Sequence, residues 1–192
     1  MNLGQVLTDH GIAARGIVHV GAHRATEVPY YHDLGFDPIV LVEPNPQLAA
    51  QCRARWPGAT VIEAAAGRAA GTTRLYVPQA GTQWASIYRP RKPVQDTLTV
   101  PMVALATVVG PEVNVLVADV QGAELDVVDG ANLDRLDLVV LETCDRDRYA
   151  GAPRHAQVLA HMDALGWDAV EIAPHPHGRR MWDVAFTPRD RR

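Results

Sequence analysis

Four positions in the chain carry residue types that can hold a nucleoside and manage a proton: Gly21, Glu43, Asp119 and Glu142. Gly21 closes the apolar run Val18-His19-Val20. It precedes Ala22-His23-Arg24-Ala25-Thr26-Glu27, where an amphipathic helical pattern begins. A strand, tight turn and helix in that order suit a nucleotide, because glycine reaches backbone angles that other residues resist and a helix N-terminus offers unpaired N–H groups. About twenty residues on, Ile39-Val40-Leu41-Val42 ends in Glu43, where a carboxylate can accept hydrogen bonds from both ribose hydroxyls. Glu43 taken alone fits equally well as a turn residue before the helix near Pro46; Gly21 and Glu43 together favour a bound nucleoside. The Gly-x-Gly-x-x-Gly pyrophosphate fingerprint is missing, since His23 and Thr26 fill its second and third glycine positions, which argues against a dinucleotide and a nicotinamide oxidoreductase.

The elements that position these residues alternate. A short helix from Leu3 leads into a strand at Ile17–Val20, a helix from about Ala25 to Leu34, a strand ending at Glu43, a helix from Gln47 to Arg55 and a strand at Thr60-Val61-Ile62. This βαβαβ run predicts a parallel half-sheet. Thr72–Val77 and Leu98-Thr99-Val100 read as further strands, separated by a polar stretch from Pro78 to Asp96 that reads as a long functional loop with Trp84 and Ser86 as its notable members. The alternation then resumes with strands at Val113–Ala118 and Leu138–Leu141 and helices from Glu124 and from about Arg154. The chain finishes in two strands around Val170-Glu171-Ile172 and Met181–Phe186, which can pair antiparallel. Ligands gather at the C-terminal ends of parallel strands, so Gly21, Glu43, Asp119 and Glu142 share one edge. Plain structural roles stand beside the chemical ones: Asp119 can cap the following helix, and Glu142 can pair with Arg146 or Arg148.

Composition narrows the classes. The chain has 192 residues, 47% of them hydrophobic and 21% charged, which suits one domain over residues 1–192 with a sizeable core. A formal charge of -4 argues against nucleic-acid binding by phosphate neutralisation, and no apolar run approaches membrane-spanning length. The N-terminus lacks a basic segment followed by an apolar core, so the expected location is cytoplasmic, with no membrane partner. Cys52 and Cys144 are far apart without Cys-x-x-Cys spacing, which indicates neither a disulfide framework nor a thiolate zinc site. His175 and His177 form a ligand-like pair in a Pro-rich turn without an evident third ligand.

Several blocks together resemble the FkbM-type methyltransferases: Val18-His19-Val20-Gly21-Ala22-His23 with Glu27 and Tyr31, Val42-Glu43-Pro44-Asn45-Pro46, Asp119-Val120-Gln121-Gly122-Ala123-Glu124-Leu125, and Glu142. The resemblance covers nearly the whole chain, and Asp-x-x-Gly-Ala-Glu is its most specific part. It implies a single Rossmann-like class I methyltransferase domain. The expected fold is α/β, a mostly parallel seven-stranded sheet with a C-terminal antiparallel hairpin and helices on both faces. Two departures stand out: the family commonly writes Gly-Ala-Asn-x-Gly where this chain has His23 and Ala25, and many members have Glu where this chain has Gln121.

The resemblance implies an S-adenosylmethionine-dependent O-methyltransferase acting on a hydroxyl of a sugar, glycan or glycosylated metabolite, with a non-catalytic binding or scaffold module as the alternative. Cofactor contacts fall on Gly21, Ala22, His23 and Glu43, together with Asn45, Asp119 and Gln121. If the strand order also follows the family, Asp119 and Glu142 end neighbouring strands about 4.8 Å apart and face one site. A weakly nucleophilic hydroxyl needs either a general base or a divalent metal. Asp119, Glu142 and His23 are the catalytic candidates, and Asp119, Glu142 and Asp145 supply the hard oxygens suited to Mg²⁺. His23 can contact the methionine carboxylate, act as a base or only brace the turn. Trp84 and Ser86 are expected to contact the small-molecule or glycan acceptor. Oligomeric state stays open, a homodimer included.

Overall fold

The computed structural model describes residues 1–175 and 180–189; His177 of the sequence-level histidine pair lies outside them. In chain order the first half is α1 (Leu3–Asp9), β1 (Gly16–Val20), α2 (Val28–Asp33), β2 (Ile39–Val42), α3 (Pro46–Arg55) and β3 (Thr60–Ile62). Next come β4 (Ala65–Ala66), β5 (Gly71–Pro78), β6 (Val94–Val103), α4 (Leu105–Val108) and β7 (Val113–Ala118). The chain closes with α5 (Glu124–Asp129), β8 (Leu138–Cys144), α6 (His155–Ala164), β9 (Trp167–Pro174) and β10 (Met181–Pro188).

Seven strands form one sheet in the order β3-β2-β1-β7-β8-β10-β9. The first five run parallel, and β10 pairs antiparallel with both β8 and β9. The strands read as continuous apolar runs because both faces are covered, as parallel sheets require. Val18, Val20, Leu116, Val139 and Leu141 face a core completed by Leu105, Val127, Val128, Val158 and Met162 of α4, α5 and α6. The alternate residues Ile17, Ile39, Leu41, Val115 and Val140 face Leu3, Val6, Val28, Tyr31 and Cys52 of α1, α2 and α3. Period-two alternation along each strand thus divides the core between two helical layers.

Three features differ from the sequence reading. Helix α2 starts at Val28 rather than Ala25, because His23 and Ala25 hold left-handed angles (φ 50° and 48°) that prolong the turn. Pro29 falls in its first turn, where its missing N–H costs nothing. A second sheet, β4-β6-β5, also stands beside the main one, with β5 and β6 pairing antiparallel over most of their length. Its two-residue strand β4 is too short to show any periodicity. The connection from β5 to β6 is shorter than expected, since Val94 already belongs to β6; it contains a 3₁₀ turn at Thr82–Trp84.

Candidate active site

The turn after β1 is built by close contact between main chains. Gly21 has φ +80°, and a Cβ there would lie 2.0 Å from the Asp119 carbonyl oxygen, so the ends of β1 and β7 can meet only across a glycine. Glu43, 5% exposed, pins the same turn: Oε2 accepts the His23 N–H at 2.7 Å and Oε1 accepts the Asn45 N–H at 2.8 Å. Burial outweighs these bonds and pushes its pKa up to about 7. The Cys52 thiol donates to the His23 carbonyl, and the His23 ring sits 2.9 Å from the Thr82 hydroxyl, tying the turn to the β5–β6 connection. Burial lowers the His23 pKa, so its ring is neutral near pH 7.

A cavity of about 240 Å³ opens on this edge. Gly21, Ala22 and His23 line it together with Glu43, Asp119 and Gln121, and Ala65, Ala66, Leu75 and Ile87 form an apolar wall. The small second sheet supplies three of those four apolar residues. His19, a polar residue inside an apolar strand, also reaches the cavity; its Nδ1 is 3.1 Å from the buried Tyr31 hydroxyl. That break in an otherwise apolar run was the available signal for His19. Asn45 is placed differently from the sequence reading: its side-chain oxygen accepts from Gln47 and Leu48 N–H groups as the N-cap of α3, away from the cavity.

Gln121, at φ +57°, joins the two carboxylates. Its Nε2 donates to Asp119 Oδ1 at 2.6 Å and to Glu142 Oε1 at 3.0 Å, while the Tyr149 hydroxyl lies 3.1 Å from its Oε1. Asp119 and Gln121 face the large cavity; Glu142 and Gln121 face a small one beside it. Glu142 is 7% exposed, and burial with the charges of Asp119, Glu124 and Asp183 raises its pKa strongly. Burial raises that of Asp119 as well. Glu124 is buried too, accepts the Gly122 N–H at 3.0 Å and is pushed up to about 7. The capping role for Asp119 and the arginine pairing for Glu142 are both absent, since α5 has Ala123 as its N-cap and Glu142 turns to Gln121 and His175.

The expected Mg²⁺ site does not assemble from Asp119, Glu142 and Asp145. The Gln121 amide occupies the space between the first two carboxylates and offers each an N–H, where a bridging cation would need lone pairs. Asp145 is held through its main chain, which donates to the Arg180 carbonyl and accepts from Arg154. The donors that converge among the described residues are Glu142, His175 and Asp183, whose ligand atoms lie within 4.8 Å of one another. Asp183 stands directly opposite Glu142 on β10, a pairing that β7-to-β8 reasoning could not supply.

Ser86 and Trp84 occupy opposite sides of the β5–β6 connection. Ser86, buried, donates to the Gln121 carbonyl at 2.8 Å and lines the cavity. Trp84 turns away, with its ring 4.6 Å from the Arg148 guanidinium. Its carbonyl accepts from the Tyr149 hydroxyl at 2.9 Å. Among the described residues, no helix is long and apolar enough to cross a membrane.

Among solved structures, the chain is similar to a methyltransferase FkbM from Methylobacillus flagellatus KT, with 13% identity and a TM-score of 0.61. That match covers 91% of this chain but 44% of the other, so the chain spans less than half the length of that relative. The magnesium protoporphyrin IX methyltransferase of Synechocystis PCC 6803, solved with bound SAM, matches at 8% identity and a TM-score of 0.59 over 96% of this chain and 74% of its own. A TehB-like SAM-dependent methyltransferase from Corynebacterium glutamicum matches at 12% identity and a TM-score of 0.54, over 96% and 86%. At these identities the likeness establishes the fold, that of class I methyltransferases. Among curated protein sequences none matches significantly. The methyltransferase FkbM domain family matches residues 19–168, most of the chain, and the protein belongs to that family.

Proposed function

We propose that the protein transfers a methyl group from S-adenosylmethionine to a hydroxyl of a small-molecule or glycan acceptor. The observation that carries this reading is the pair of carboxylates joined by Gln121, half-buried Asp119 facing the large cavity and buried Glu142 facing the space beside it. The residues fit the cofactor. The Gly21 turn brings main chain to the cavity without a side chain in the way. Each Glu43 oxygen accepts one main-chain N–H and keeps lone-pair capacity for a ribose hydroxyl. The Ala65, Ala66, Leu75 and Ile87 wall suits an adenine ring. When bound, the cofactor would supply an electrophilic methyl group on a sulfonium centre.

The remaining work falls to the chain. Asp119 places a carboxylate at the cavity wall, where ionisation would complement a positive charge. Glu142, with its raised proton affinity, takes the proton from the acceptor hydroxyl once ionised; a base of ordinary carboxylate strength would be too weak for that step. Gln121 spaces the two acids and holds their orientation. Tyr149, Ser86 and the β5–β6 connection close the site against water.

The test is methyl transfer from labelled S-adenosylmethionine to a panel of hydroxylated acceptors. Glu142→Gln keeps shape and an oxygen for Gln121 but cannot take the proton, so turnover should fall about 10²–10⁴-fold with S-adenosylhomocysteine affinity nearly unchanged. Asp119→Asn should also cut turnover. Activity should persist in EDTA. Undiminished turnover in the double amide variant would overturn these roles, and loss of activity in EDTA with recovery on Mg²⁺ would replace the base by a metal.

A further inference from the structure

A second cavity, of about 440 Å³, lies on the Trp84 side of the β5–β6 connection. Its charge opposes that of the chain as a whole: Arg91, Lys92, Arg146 and Arg148 line it with a single carboxylate, Asp147, in a protein of formal charge -4. Asp147 is engaged by Arg91 and Arg154, and among the described residues no ion pair involves Lys92, Arg146 or Arg148. The floor is organised. Arg148 stacks over Trp84, Arg91 N–H donates to the Arg148 carbonyl at 2.7 Å, and Ala150 N–H donates to the Arg89 carbonyl at 2.9 Å, so two loops are stitched together under the basic groups. Arg146, Arg148 and Tyr149 also line the small cavity that Glu142 and Gln121 face. The basic groups and the proposed base therefore line two cavities that share Arg146, Arg148 and Tyr149.

We propose that this cavity binds the anionic part of the acceptor, a phosphate or carboxylate joined to the hydroxyl-bearing unit. The proposal rests on the methyl-transfer reading for the word acceptor, and on the cavity alone for the anion. Guanidinium groups pair with phosphate and carboxylate through parallel N–H donors, and the indole offers a flat apolar surface to the unit that carries the charge. Gathering cations without partner acids costs repulsion, which a bound oxyanion relieves. It would also tether an acceptor whose hydroxyl reaches toward Glu142.

The experiment measures binding of glucose 1-phosphate, glucuronate and neutral glucose to the full chain saturated with S-adenosylhomocysteine, by calorimetry or ligand-observed NMR. At least one charged sugar should bind about tenfold or more tightly than glucose, with the advantage shrinking as salt rises. Which one does so separates phosphate from carboxylate. The Arg146→Gln/Arg148→Gln variant should lose the advantage while holding S-adenosylhomocysteine like the parent. Arg91→Gln at the exposed rim gives a second reading should the double variant misfold. Equal binding of all three sugars, or a preference that survives both variants, overturns the proposal. So does binding of a mixed-sequence RNA through these arginines without any charged-sugar preference. A parent chain that fails to bind S-adenosylhomocysteine would instead overturn the methyl-transfer reading, and the sugar measurements would still decide the anion.

Discussion

The two sides of the sheet edge are built on different principles. On the β1–β2 side, the proposed cofactor site consists of main chain and a few groups held by it: a glycine forced by a carbonyl 2.0 Å from where its Cβ would be, and a carboxylate with an N–H on each oxygen. On the β8–β10 side, side chains from distant segments converge with their charges in opposition. Burial, with the charges of Asp119, Glu124 and Asp183, raises the proton affinity of Glu142, and a basic cavity lies beyond Tyr149. The first side tolerates almost no change of shape. The second is sensitive to proton count.

The largest expected effect breaks the first side. Gly21→Ala adds a Cβ against the Asp119 carbonyl at a left-handed position, and should cost about 2–5 kcal/mol in chemical denaturation, overpacking and backbone strain combined. A stability loss under half the lower figure would mean that the β1 and β7 ends can separate freely.

The second side should respond to pH. Glu124 has its pKa pushed to about 7 from 4.5, as does Glu43 on the first side, so between those values the folded state binds more protons than the unfolded. Stability therefore falls as pH rises from about 5 to 8. Glu124→Gln keeps an oxygen for the Gly122 N–H and removes the buried charge. It should flatten the slope and stabilise the protein at pH 8 by about 2–3 kcal/mol, as each pKa unit corresponds to about 1.4 kcal/mol. Thermal melts of parent and variant across this range decide it, and parallel curves would place the proton elsewhere.

A smaller effect separates binding from folding. Ribose hydroxyls donate to ionised Glu43, so S-adenosylhomocysteine affinity should rise with pH through about 7. Glu43→Gln should remove much of that rise and weaken binding at pH 8 by about 1–2 kcal/mol, the scale of a hydrogen bond to a charged group. Calorimetry at two pH values suffices. Smallest is Asn45→Ala, which removes the α3 cap at about 1 kcal/mol of stability and should leave S-adenosylhomocysteine affinity nearly unchanged. Affinity falling more than stability would return Asn45 to the cofactor site.

The sequence by itself determined the alternation of strands and helices, the parallel half-sheet and the positions of Gly21, Glu43 and Asp119 just past strand ends, because apolar periodicity and turn chemistry are local; Glu142, expected just past a strand ending at Leu141, lies inside β8, which runs on to Cys144 as it pairs with β10. The sequence also marked Asp119 and Glu142 as a pair through the resemblance. Tertiary structure alone decided what joins them: the amide of Gln121, whose two N–H groups reach partners 2 and 21 residues away. It alone brought Asp183 opposite Glu142, since strand pairing across β10 is a long-range choice that no local pattern records. It likewise turned Trp84 away from Ser86 and toward Arg148, because side-chain facing in an irregular connection depends on what packs beneath it. Local chemistry named the groups; their partners, and hence their proton affinities, came from burial and from contacts made across the fold.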